Sequence, residues 1–347
     1  MPRLSVIVPA CNEEGGIRAA VDSMLAQDYP DLEIILVNDR STDRTGEVMD
    51  ALVAARPGRA RTLTIEALPP HWLGKNHALW RGARESSGDW LLFADADIVF
   101  DPTCFRRAVA YAEAERLDHL TLSPEIVVRG YWLQAFVAFF VYGFAVTQRP
   151  YRANDPHSKV GVGVGAFNLI RRPAYDAIGT HQALSLRPDD DVRLGKRVKL
   201  LALRQRLLHG APLVRVDWYP SLGVALRAFD KNAFAGLNYS VLQSMAAVSA
   251  VWVLCVWPYL AVWRVGRAAR LLLLGSIGST AISFASANRP LGRGVAAYFP
   301  AFPVAAILWI YVFLRSMILA LTQGGVYWRG TFYLLRQLKS QSGLEGT

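Results

Sequence analysis

Cysteine is scarce in this chain. Three occur in 347 residues, Cys11, Cys104 and Cys255, far apart. That spacing supports neither a disulfide framework nor a cysteine metal site, and it fits a reducing compartment. The histidines (His71, His77, His119, His157, His181 and His209) show no ligand spacing and read as core or surface side chains. Charged residues make up only 19% of the chain against 52% apolar, an unusual balance for a purely soluble protein. Residues 241–321 are nearly free of acids. The start, MPRLSVIVPA, lacks an apolar run long enough for a signal peptide and a cleavage site, so the globular part is expected in the cytoplasm. Internal repeats and low-complexity tracts are missing. So is a compact basic cluster interleaved with aromatics, which argues against nucleic acid as a partner. The net charge of +10 is met by an anionic membrane surface, an anionic substrate or a general richness in arginine.

What is present divides the chain. Residues 1–130 and 148–230 read as ordinary globular sequence. Beyond them lie three apolar stretches, 241–263, 271–287 and 295–321, each long enough or nearly long enough to span a membrane. Arg264, Arg267 and Arg270 fill one gap and Arg289 and Arg293 the next; Arg329, Arg336 and Lys339 follow the last stretch. The positive-inside rule cannot place all of these on one side if all three stretches cross. Pro258, Pro300 and Pro303 suggest breaks, so two or three spans are expected and their topology stays open. Residues 131–147 are apolar and aromatic but short of a span. They read as a buried core helix or, given their Tyr and Trp, a helix in the membrane interface. The resulting division is a globular domain over 1–230 and a membrane domain over 231–347.

The globular part alternates strands and helices. LSVIVP (4–9) and EIILVN (33–38) are β-branched runs without alternation, the pattern of buried parallel strands. A helix is expected between them from Glu14 to Gln27, ended by Asp28-Tyr29-Pro30. Further helices are expected over 43–55 and 75–86, and strands over 61–66 and 89–94. This is an α/β fold with an open, mostly parallel sheet, and such sheets bind ligands beyond the carboxyl ends of their strands. Asn38-Asp39 and Asp95-Ala96-Asp97 fall at two of those ends.

Asp95 and Asp97 follow the apolar LLFA directly. In extended chain, residues i and i+2 point to one face, so the two carboxylates can converge. Unpaired, they cost several kcal/mol each on burial. A hard divalent cation, Mg²⁺ or Mn²⁺, held also by substrate phosphates, is the natural partner. A D-x-D pair alone is equally a solvated turn.

VIVPACNEE (6–14), VNDRSTDRT (37–45), LGKNHAL (73–79), GDWLLFADAD (88–97) and RPDDDVRLGKRVK (187–199) occur in that order. Together they resemble the nucleotide-sugar-dependent glycosyltransferases of family 2, with the GT-A fold. GVGVGAFNLIRR (161–172), LRAFDKNAFAGL (226–237) and GGVYWRGTFY (324–333) are similar to membrane-bound members that glycosylate carotenoids, hopanoids or ceramide. The resemblance implies roles. Pro9, Ala10, Asn12 and Glu13 would line the nucleoside, and Asp39 would read the uracil edge, unless it caps the next helix. Lys75 would lie near the phosphates. Asp97 would be the direct metal ligand, and Asp95 would contact ribose or metal-bound water. Asp191, with Asp190 as the alternative, would be the catalytic base, while Asp189 reads as a helix-dipole residue. Arg227 and Lys231, spaced i and i+4, would share a helical face and stabilise the leaving diphosphate or bind headgroups. Trp218 and Tyr219 would line the acceptor entrance or anchor the domain.

The expected reaction is inverting transfer from a nucleotide diphosphate sugar, with UDP-sugar favoured, to a membrane lipid, by a multi-pass protein of the cell membrane. The family's Gln-x-x-Arg-Trp motif is not intact here: Phe229 stands where tryptophan is usual. That lowers the case for a polysaccharide synthase. A polyprenyl-phosphate glycosyltransferase is the nearer alternative. A nucleotidyltransferase would need no base at 189–191, and a dead scaffold would not keep acids at 39, 95, 97 and 191.

Overall fold

The computed structural model describes residues 1–291 and 294–342; Arg293 lies outside them. The chain forms two compact units. The first comprises Met1–Val127 with Arg149–Asp217, and the second Val128–Gln148 with Trp218–Thr347.

The strands of the first unit are β1 (Leu4–Ala10), β2 (Leu32–Asp39), β3 (Ala60–Ile65), β4 (Trp90–Phe93), β5 (Ile98–Phe100), β6 (His119–Ser123), β7 (Glu125–Val127), β8 (Asn168–Arg171), β9 (Gln205–His209) and β10 (Val214–Asp217). Seven form one sheet in the order β3-β2-β1-β4-β8-β6-β9, and β5, β10 and β7 form a small second sheet. In the large sheet only β8 runs antiparallel to its neighbours, β4 and β6. The runs lack alternation because both faces are covered. Val6 and Val8 enter one core with Ile34 and Leu36, whereas Ile7 enters the other with Ile35 and Val37. Each such side chain contributes roughly 1.5–3 kcal/mol by leaving water.

The helix Ile17–Leu25 buries Ile17, Ala20, Val21, Met24 and Leu25, one stripe at i, i+3, i+4, i+7 and i+8. The helix Gly74–Glu85 buries Ala78, Leu79 and Ala83 against the opposite face. With β1, β2 and β4 mutually parallel, their carboxyl ends share one edge. Antiparallel β8 begins there too, since Asn168 pairs with Phe93. The loop 161–167 and the strand-end acids are thereby delivered to one rim from distant parts of the sequence.

In the second unit, residues 131–147 belong to the helix Tyr131–Gln148, whose Phe136 ring stacks on Trp309 with centroids 4.8 Å apart. Among the described residues, three helices are long and apolar enough to cross a membrane: Val241–Ala261, Arg267–Ala287 and Ala296–Gln323. Proline leaves its mark on the first as a π-helical turn, Trp252–Val256, just before Pro258. The wider turn absorbs the hydrogen bond proline cannot make. Arg315, within the third span, forks onto Asp230 at 2.9 and 3.1 Å. A short hairpin, β11 (Gly325–Trp328) and β12 (Thr331–Leu334), and the helix Leu335–Ser342 follow.

Candidate active site

Asp95 leaves β4 with its amide donating to the Gly165 carbonyl at 3.1 Å. The Gly165 amide donates in turn to Asp191 Oδ2 at 2.8 Å. One residue of the loop 161–167 thus ties the D-x-D segment to the acidic run. A side chain there would displace the carboxylate: a Cβ at Gly165 would stand 2.7 Å from Asp95 Oδ2 and 3.3 Å from Asp191 Oδ2. Gly195 allows the helix Asp190–Leu200 to press against that loop, since its Cβ would fall 2.1 Å from the Val162 carbonyl carbon.

Lys75 enters from the first turn of the helix Gly74–Glu85. Its Nζ lies 2.7 Å from Asp95 Oδ1 and 3.9 Å from Asp190 Oδ1. Burial opposes its charge, but Asp190, Asp95 and Asp191 outweigh burial and raise its pKa. Lys75, Asp95, Gly165, His181, Asp190 and Asp191 all line one small cleft.

The last two acids of 189–191 differ in environment. Asp190 is 3% exposed, and its Oδ1 makes no hydrogen bond among the described residues. Burial, opposed by Lys75 and reinforced by Asp191 and Asp95, pushes its pKa up to about 7. Asp191 is half-buried and accepts hydrogen bonds from the Gly165 and Val192 amides. Its pKa is raised by burial, with Lys75 and those two amides pulling the other way. Asp189 stands at the N-cap position of the helix Asp190–Leu200 but makes no side-chain capping bond. It receives Arg187 at 2.9 and 3.0 Å and Arg193 at 2.9 Å. Although burial works against its charge, these guanidinium groups hold its carboxyl below the usual range.

The remaining first-unit candidates sit around this rim. Pro9 and Ala10 close β1. Asn12, at a φ of 55°, accepts from the Thr42 amide at 2.8 Å, and the Glu13 amide donates to Thr45 Oγ1 at 2.8 Å. These bonds stitch the VIVPACNEE and VNDRSTDRT loops together. Asp39 is 3% exposed and accepts a fork from Arg40 at 2.8 and 3.1 Å. That pairing, and not a helix cap, occupies its carboxylate.

Asp97 is exposed at the rim. Partial desolvation, then the charges of Asp95 and Glu13, push its pKa up to about 6. A carboxylate crowded by two others is one a cation would relieve. Among the described residues no group of three or more His, Cys, Asp and Glu side chains is arranged to hold a metal. A pair is still the donor set suited to Mg²⁺ or Mn²⁺, which keep waters and take further oxygens from substrate phosphates. Asp97 and Asp95 therefore fit the ion.

Arg227 and Lys231 belong to the second unit, and they do not share a helical face. The helix Leu222–Ala228 ends before Lys231, which lies in a turn with its Nζ 4.1 Å from the centre of the Trp328 ring. The i, i+4 spacing misled because the helix is only two turns long.

Three contributors escaped the sequence reading. His181 is 1% exposed, shares Nδ1 with the Tyr175 hydroxyl at 2.7 Å and points Nε2 to within 4.0 Å of Asp190 Oδ2. Burial and the nearby Lys75 charge drop its pKa to about 3, so it stands neutral. No spacing rule marks such a residue. Asn76 and Arg187 lay inside quoted motifs, a usable signal. Asn76 Nδ2 donates to the Leu184 and Arg187 carbonyls at 2.5 and 2.8 Å, pinning the approach to the acidic run.

A mostly parallel sheet covered on both faces, with acidic loops gathered at one edge, is a GT-A-like α/β fold. The model of a family described as glycosyl transferase family 2 matches residues 5–179, and the chain belongs to that family. Among curated proteins it is similar to 4,4'-diaponeurosporenoate glycosyltransferase of Staphylococcus aureus. With strain MRSA252 it is 25% identical over 248 residues, 71% of this chain and 64% of the relative. With strain USA300 it is 25% identical over 221 residues, 62% and 56%. The chain spans under two thirds of the length of these relatives. In fold it is similar to a mannosyltransferase from Pyrobaculum calidifontis solved in complex with GDP-Man and Mn²⁺, at a TM-score of 0.53 and 19% identity, covering 93% of this chain and 86% of that one.

Proposed function

We propose that the protein transfers one sugar from a nucleotide diphosphate sugar, a UDP-sugar in our reading, to a hydroxyl or carboxyl of a membrane lipid, with inversion at the anomeric carbon. The observation that carries this reading is the bridge at Gly165, which holds Asp95 and Asp191 in one cleft. The names of the curated relatives support an acceptor of the carotenoid type.

Asp191 is the base. It is half-buried, whereas Asp190 is 3% exposed, and the Gly165 amide fixes its orientation. It takes the proton of a hydroxyl acceptor as the acceptor oxygen attacks, a role worth about 10²–10⁴-fold in rate; a carboxyl acceptor attacks as its carboxylate and needs no base. Lys75 sets the charge balance of the cleft and faces the diphosphate as a point charge. Pro9, Ala10, Asn12 and Glu13 line the nucleoside, and Asp39 accepts from its base by sharing the carboxylate with Arg40. Asp97, with Asp95, would hold Mg²⁺ or Mn²⁺; when bound, that ion neutralises charge on the leaving diphosphate. The helices Val241–Ala261, Arg267–Ala287 and Ala296–Gln323 make the protein multi-pass, with the catalytic domain on the cytoplasmic side and the acceptor arriving from the leaflet.

The test is incorporation of radiolabelled UDP-sugar into extracted lipid by membranes carrying the protein. Wild type yields a labelled lipid and Asp191→Asn does not. Full labelling by Asp191→Asn would point to an acceptor that is already an anion, a lipid carboxylate or a polyprenyl phosphate. Unchanged labelling by Asp97→Ala would remove the metal reading.

A further inference from the structure

The segment after the last apolar helix has no part in the transfer scheme. The span Ala296–Gln323 ends at Gly324, in the left-handed region at φ 70°, and β11 begins at the next residue. β11 and β12 pair antiparallel around the two-residue turn Arg329-Gly330, whose φ values of 48° and 77° suit the twist of a hairpin.

Cross-strand pairs alternate between the hairpin's faces. Val326 with Tyr333, and Trp328 with Thr331, form the inner face, where Tyr333 is 7% exposed and the Trp328 ring receives Lys231. The outer face carries Tyr327, Phe332 and Leu334, which are 66%, 36% and 36% exposed. The Tyr327 and Phe332 rings lie 4.7 Å apart and make one continuous aromatic surface. Arg329 at the tip, and Arg336 and Lys339 on the helix Leu335–Ser342, are also exposed. Residues 324–342 contain no Asp or Glu.

Three features coincide: an exposed aromatic face, cations with no acid among them, and a start one residue beyond a candidate span. Aromatic side chains with a polar tip favour the depth of lipid headgroups, and an anionic leaflet attracts basic residues beside a span. We infer that the outer face of this hairpin is a membrane-surface site that inserts Tyr327, Phe332 and Leu334 at the headgroup boundary of an anionic leaflet, with Arg329, Arg336 and Lys339 on its lipid phosphates. This rests on the reading that Ala296–Gln323 crosses the bilayer. The hairpin holds the exit of that helix at a fixed depth.

The test uses the full chain in vesicles of phosphatidylcholine alone and of phosphatidylcholine with about one third phosphatidylglycerol. Cys11, Cys104 and Cys255 are replaced, and a nitroxide is placed at Tyr327→Cys or at Leu254→Cys, an exposed position of the first span. The label at 254 reads the spanning assumption; the label at 327 reads the hairpin. The expected result is a 254 label in the hydrocarbon and a 327 label severalfold less accessible to an aqueous nickel chelate in the anionic vesicles than in the neutral ones. Arg329→Gln, Arg336→Gln and Lys339→Gln together abolish that difference. A 327 label equally water-exposed in both vesicles, with 254 in lipid, overturns the hairpin site and leaves the span standing. A 327 label shielded equally in both, and unmoved by the triple change, means that protein covers the face and also overturns it. A 254 label in water removes the span and the hairpin site with it. If the cysteine-free chain does not fold, hydroxyl-radical footprinting of Tyr327 in the unsubstituted protein makes the same comparison.

Discussion

Lys75 Nζ stands 2.7 Å from a carboxylate oxygen of Asp95, which joins the start of one helix to the end of a central strand. The same ammonium faces Asp190 at 3.9 Å. Removing it leaves a buried carboxylate without a cation. Lys75→Met is therefore expected to destabilise the protein by about 1–2 kcal/mol, since Lys75 and Asp95 are both partly exposed. Thermal unfolding in detergent measures it. Asp190→Asn in the Lys75→Met background should recover part of that loss, because the stranded charge is gone. A double-mutant cycle reads the coupling; strictly additive effects would show that the two groups do not interact.

Asp190 also shapes the response to pH. Its folded-state pKa is raised from 3.8 to about 7, so the folded protein holds the proton more tightly than the unfolded chain does. Its contribution to stability is thus fully present below pH about 4 and is lost as pH rises to about 7. Asp190→Asn keeps the neutral form at every pH. The variant should show a flatter stability profile between those limits, as measured by denaturant unfolding across the range. An unchanged slope would mean that Asp190 is ionised throughout.

Much of this fold was legible because it is written in local patterns. The runs 4–9 and 33–38 read as buried strands because both faces of the strands Leu4–Ala10 and Leu32–Asp39 are covered. The meeting of Asp39, Asp95 and Asp97 at one edge followed from parallel strands alone. What stayed hidden depends on tertiary placement. The Asp39–Arg40 pairing, the neutral His181 behind Asp190, and the division of labour between Asp190 and Asp191 are set by which atom faces which cavity. Adjacent aspartates look alike in sequence; a single helical step separates a sealed carboxylate from one that accepts the Gly165 amide. Arg227 and Lys231 failed for the opposite reason: their spacing was clear, but the helix stopped too soon to use it.

The proposed role of Asp97 as a metal ligand carries a pH signature. Its pKa near 6 reflects crowding by the surrounding protein and by Asp95 and Glu13. A metal ion needs the deprotonated carboxylate, so below pH 6 it must displace a proton. Mn²⁺ affinity is expected to climb with pH up to about 6 and level off above it, falling roughly tenfold per pH unit on the acid side. Titration of free Mn²⁺ by electron paramagnetic resonance, with nucleoside diphosphate present, measures this. Asp97→Asn should bind more weakly and lose the acid-side slope. A slope that survives in the variant would assign the proton to another group.

Gly165 gives the most direct test of the site's construction. Its carbonyl accepts from the Asp95 amide and its amide donates to Asp191 Oδ2, so both acids are registered to one peptide. A methyl group there would lie 2.7 Å from Asp95 Oδ2, closer than packed atoms tolerate. The Asp95 carboxylate must then swing away, and Lys75 with it. Displacements of about an ångström at a reacting group cost on the order of 100-fold in rate. Gly165→Ala should therefore lose about 100-fold in kcat, with the unfolding temperature changed little. Steady-state kinetics and thermal unfolding on the same preparation separate the outcomes. A variant that keeps its turnover would show that Asp95 and Asp191 do not need their common anchor.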